Sequence, residues 1–149
     1  MKKFRFGLDS VLSYRQQVLE GRQNEYGKAM RRVQEQRMRL EAVQQRYQET
    51  NQQFREEAAA GISIADAMGF EVGLRALERE IARETKALRD LEAEAEKRRI
   101  QMLQAHQDAA MLEKLKEKKQ EDYRKAEQKQ DELFIDELVS AVRAGRSDS

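Results

Sequence analysis

Apolar residues recur in this chain at every seventh position: Leu12, Leu19, Tyr26, Val33, Leu40, Tyr47 and Phe54. Arg, Gln and Glu fill most of the intervals. An α-helix turns once in about 3.6 residues, so a strict heptad gathers these side chains into one narrow stripe on a slightly supercoiled helix. Such a stripe is a seam for another helix and too thin to face a globular core. The pattern predicts helix one over about residues 8–58, with Asp9 or Ser10 as N-cap acceptors. A turn over about 59–66 follows, where Gly61 is suited to end a helix and Ser63 or Asp66 to cap the next.

Helix two is predicted over about 67–142, with a disordered tail over 143–149. Its seam reads Leu74, Ile81, Leu88, Ala95, Met102 and Ala109. A companion row reads Leu77, Leu91, Ala105, Leu112, Ala126 and Leu133, interrupted by Glu84, Arg98 and Lys119. Gly69 and Gly73 weaken its first turns and favour a close crossing near the turn. Two long helices on a short connection pack antiparallel. The predicted fold is therefore all-α: one coiled-coil hairpin over residues 1–149, with an overhanging C-terminal segment on the second helix.

Folding back about Ser63 pairs positions whose numbers sum to about 126. Roughly 24 residues of helix two, ~36 Å at 1.5 Å per residue, then extend past the partner. That overhang ends in Leu133, Phe134, Ile135, Leu138, Val139 and Val142, and Phe4 and Phe6 belong to the same end. An apolar cluster on an unpaired helix is a docking surface for a partner or a zipper for a second copy.

Composition supports this picture. The 149 residues include no proline, and 38% are charged. Interior proline costs roughly 3 kcal/mol of helix stability, so its absence over such a length is a helix signal. The net charge of +1 argues against disorder and against a nucleic-acid partner, although residues 1–60 carry 12 Lys/Arg against 8 Asp/Glu. Lys114, Lys116, Lys118, Lys119, Arg124 and Lys125 form a basic patch diluted by Glu113, Glu117, Glu121 and Asp122. It reads as a solvated face or a charged collar at a protein interface. No apolar run suggests a signal peptide or direct membrane insertion, which makes the cytoplasm the default location.

Catalytic chemistry finds no support. A two-helix rod offers little pocket. There is no phosphate-binding glycine loop, no cysteine, and a single histidine, His106, beside the Ala105 seam position. The expectation is a protein that is not an enzyme and uses no cofactor or metal.

The two ends carry a resemblance. FRFGLDSVLSYRQQVLE presents Phe4, Phe6, Leu8, Leu12 and Arg15 in a pattern similar to the opening of the flagellar export protein FliJ family. LEKLKEKKQEDYRKAEQKQDELFIDELV, with its Asp136–Glu137 pair, resembles the closing segment of that family. The resemblance implies a stalk-like coiled coil of the flagellar type III export apparatus, peripherally associated with the inner membrane at the flagellar base. It implies binding to the hexameric export ATPase, whose assembly and activity it promotes, and contact with the cytoplasmic domain of the export gate and with export chaperones. Phe4, Phe6, Leu8, Leu133, Phe134, Ile135, Asp136, Glu137 and Leu138 are then the candidates for docking to the ATPase ring. Tyr47, Phe70, Leu74 and Leu77 are the candidates for the gate, although Tyr47 and Leu74 also sit on seam rows, where packing competes with contact. The stalk reading predicts a free chain that is mostly monomeric. The equivalent stalk of a virulence secretion system and a self-associating structural coiled coil are the alternatives.

Overall fold

A computed structural model describes residues 2–147. Two helices account for most of them: α1, Asp9–Ala60, and α2, Ile64–Ser147. They pack against each other, and no strand occurs among the described residues. Heptad apolar rows without proline dictate this all-α hairpin.

Local chemistry sets the ends of the helices. Gly61 takes φ +95°, which a side chain would strain, and this stops α1. The Ser63 hydroxyl accepts the main-chain N–H of Asp66 at 3.1 Å, and the Ser63 carbonyl accepts that of Ala67 at 3.0 Å. Ser63 is thus the N-cap of α2. The cap starts the helix at Ile64, ahead of the predicted position 67, and reduces the connection to Gly61, Ile62 and Ser63.

At the start of α1 the Leu8 carbonyl accepts the Leu12 N–H at 2.8 Å, so neither Asp9 nor Ser10 is the cap. The Asp9 carboxylate instead accepts Lys116 Nζ at 3.0 Å. At the far end the predicted disordered tail from 143 is not found. α2 continues to Ser147, because Ala141, Arg143 and Ala144 sustain a helix and Arg146 lies in its last turn, where the helix dipole favours a cation. Residues 148 and 149 lie outside the described residues.

The chain divides into two compact units. The unit Glu20–Leu103 holds the most buried cluster, Ala29, Val33 and Ala95, with Leu88 and Leu91 packed on it. Val33 is 1% exposed. Cross-helix pairs there run antiparallel: Glu25 with Arg98 (3.1 Å), Arg37 with Glu92 (3.8 Å), Arg46 with Glu80 (3.5 Å) and Tyr47 with Glu78 (3.2 Å). Their numbers sum to about 125, close to the predicted register. Alongside the predicted α1 row runs a second, unpredicted one: Arg22, Ala29, Gln36, Val43 and Thr50. Ala29, Gln36 and Val43 on it are buried. Gln36 is the one buried polar residue among those described, and its amide donates to the Glu84 carbonyl at 3.1 Å and to the Glu84 carboxylate.

The other unit comprises the residues up to Leu19 and those from Gln104 onward. Its buried apolar residues are Phe6, Leu12, Ala105 and Ala109. Arg15 pairs with Asp108 (3.6 Å) and Gln16 donates to Glu113 (3.2 Å), again antiparallel. A non-helical arm, residues 2–6, lies against α2, and Tyr123 is the last α2 residue that is not exposed. From Arg124 to Arg146 every residue is exposed. The companion-row residues Ala126 and Leu133 accordingly have no α1 residue to pack against.

Candidate docking surfaces

The terminal unit contains all nine predicted ring-docking residues and separates them into two groups. Phe4 and Phe6 already have partners within the chain. Phe6 is 8% exposed, and the Phe4 ring lies 5.6 Å from that of Tyr123, tilted by 52°. The Tyr123 hydroxyl donates to the Lys2 carbonyl. Loss of solvation beneath the arm pushes the Tyr123 hydroxyl above its ordinary value, and the Glu127 carboxylate adds to the shift. These two phenylalanines therefore fasten the arm.

The remaining seven are exposed. Leu8 lies at the start of α1. Leu133, Phe134, Ile135 and Leu138 are more than half exposed, and Val139 and Val142 are exposed beside them. A helix advances about 100° per residue, so Ile135, Leu138, Val139 and Val142 form one stripe that Phe134 widens. Leu133 faces the opposite side. Asp136 and Glu137 flank the stripe and are exposed. An amphipathic helix with spacing i, i+3, i+4, i+7 and nothing packed on its apolar face is suited to enter a groove or collar on another protein.

The four predicted gate residues belong to the unit Glu20–Leu103, and the seam claims most of them. Leu74 and Leu77 are buried at 6% and 8% exposure. Tyr47 is half-buried and donates to Glu78, and Phe70 is half-buried with its ring 5.1 Å from that of Phe54, edge to face. What the turn end does present is a row that the sequence reading misses. Ile64, Met68 and Val72, four residues apart, are each more than 60% exposed. Beside them Ala65, Gly69 and Gly73 line a shallow groove of about 480 Å³ with Phe70. The four-residue spacing was present in the sequence, hidden by the stronger heptad row that begins at Leu74.

The charges around this end are paired on the surface. Arg75 bridges Glu71 (2.8 Å) and Glu78 (2.7 Å). Hydrogen bonding from Arg75 holds the Glu78 carboxyl below the usual carboxylate value, and Arg99 does the same for Glu96. His106 is exposed. Among the described residues no group of three or more His, Asp or Glu side chains is arranged to hold a metal ion. No described helix is long and apolar enough to cross a membrane.

A family model, that of the flagellar FliJ protein, matches residues 4–148. No curated protein matches the chain. No solved structure matches it.

Proposed function

The chain belongs to the FliJ family, a family of flagellar protein export, and from that premise we propose that it is the stalk-like partner of the hexameric export ATPase. The observation that supports this reading is the α2 segment from Arg124 to Arg146, exposed throughout and bearing the stripe Ile135, Leu138, Val139 and Val142. In this reading the segment enters the axial opening of the ATPase ring, with Leu8 at its base and Asp136 and Glu137 contacting the collar. Binding only to the closed ring favours assembly by mass action. No side chain of the stalk needs to perform chemistry.

The turn end serves the export gate. Its exposed ridge, Ile64, Met68 and Val72, with Phe70 at the edge, makes the contact. Tyr47, Leu74 and Leu77 act by holding that ridge in place through the seam. Export chaperones use the same apparatus-facing surfaces, and the chain works at the inner-membrane base of the flagellum. The test is the hydrolysis rate of the cognate export ATPase with and without the full chain. Stimulation together with a shift of the ATPase to hexamer supports the reading. A folded chain that leaves both unchanged overturns it.

A further inference from the structure

The arm and α2 enclose an apolar slot of about 430 Å³, walled by Phe4, Phe6, Leu8, Leu115 and Tyr123, with Arg5 and Lys119 also lining it. Cations outnumber anions around it, with Glu117, Glu121 and Asp122 set among the lysines of α2. Lys2 and Lys3 are exposed on the arm, and Lys114, Lys118 and Lys119 are exposed on α2. Past Arg124, Lys125 and Lys129, the stretch 131–138 of the helix has the opposite character. Asp131, Glu132, Asp136 and Glu137 are interleaved there with exposed Phe134, Ile135 and Leu138. An apolar slot edged by cations and an apolar helix edged by anions are complementary in both respects.

Within one chain they cannot meet, because α2 is one unbroken helix from Ile64 to Ser147 and its tail runs on past the slot. The tail of a second copy meets no such constraint. We propose that two free copies associate about a two-fold axis, each laying the acidic, apolar stretch 131–138 of its α2 tail across the cation-edged arm slot of the other. Twofold closure makes both contacts at once, so two individually weak dockings reinforce each other. The exposed stretch from residue 124 to 146 is ~35 Å long, ample to span the slot. This dimer takes the place of the monomer predicted for the free chain, and it covers the tail that ring docking would use. The inference does not rest on the ring-docking reading, and its test involves no ATPase.

The experiment is sedimentation equilibrium of the full chain over a concentration series at low and high salt. A mass rising toward twice that of the monomer, weakened by salt, is expected. Two charge-reversed variants then identify the surfaces: Arg5→Glu with Lys119→Glu in the slot, and Asp136→Lys with Glu137→Lys in the tail. Each alone brings like charges together and weakens its own dimer by at least about tenfold. Mixed in equal amounts they restore the dimer, because each tail then meets a slot of opposite charge. Circular dichroism checks that both remain helical. A monomer at every concentration overturns the proposal, and so does a dimer that neither variant weakens or that mixing fails to restore.

Discussion

The side chain of Gln36 on α1 reaches across the helix pair and donates to the main-chain carbonyl of Glu84 on α2 at 3.1 Å. Both residues interrupt apolar rows, and the two interruptions meet. A single buried polar residue in a coiled coil specifies register at some cost in stability. Gln36→Leu removes the donor and leaves Glu84 facing an apolar wall, which costs about 1–3 kcal/mol in chemical denaturation. Adding Glu84→Leu recovers most of that loss, since an apolar pair needs no partner. A double variant no more stable than Gln36→Leu alone would show that the two residues do not act together.

Packing and docking are separable between the two helices. Val33→Ala, beneath Ala95 and Leu88, costs about 2 kcal/mol, because its removed methyl groups leave a gap. Leu138→Ala, on the exposed stripe, changes stability by less than about 0.5 kcal/mol. Denaturant midpoints measured in parallel check the contrast. A large loss at Leu138 would mean that the stripe is packed.

Gly61 is the one described residue with a positive φ. Space is not the obstacle to a side chain there, as no neighbouring atom lies within 4 Å of an added Cβ. The obstacle is backbone conformation, so Gly61→Ala lowers stability by about 1–2 kcal/mol. Gly69→Ala, also in open space but within α2, raises it by up to about 1 kcal/mol. Thermal melts of the two variants should move in opposite directions.

Acid should weaken the surface network in a defined window. Hydrogen bonds from Arg75 and Arg99 lower the Glu78 and Glu96 carboxyls from their ordinary value of 4.5. A carboxyl with a lower pKa when folded gives stability that is fully present above its unfolded value and lost as the pH falls through its folded value. The contribution is therefore intact at neutral pH and disappears below 4.5. Both pairs are solvent-exposed, so the effect is small. Melting temperatures of the wild type and of Glu78→Gln with Glu96→Gln should differ at neutral pH and converge in acid. A gap that persists at low pH would contradict this.

The antiparallel hairpin and its register were legible because the apolar rows are long and free of proline. Cross-helix pairs such as Glu25–Arg98 and Arg46–Glu80 fall near the predicted folding-back register. The second α1 row was not legible, since Arg22 and Gln36 look like surface residues until their partners on α2, Gln101 and Glu84, are known. The roles of Phe4 and Phe6 were hidden for a related reason. Apolarity marks a residue for contact without saying whether its partner is another protein or Tyr123. Leu74 and Leu77 show the same ambiguity, resolved by burial, while the Ile64–Met68–Val72 ridge appears only once the seam has claimed the neighbouring face.

The proposed docking of the α2 tail to the export ATPase is open to direct measurement. The most direct measurement is the ATPase hydrolysis rate in the presence of a chain ending at Lys129. The arm, the seam and every cross-helix pair described above lie before that position, so the shortened chain keeps its helix pair. The shortened chain is expected neither to stimulate the ATPase nor to shift it to hexamer, while the full chain is expected to do both. Undiminished stimulation by the shortened chain would contradict the proposed docking.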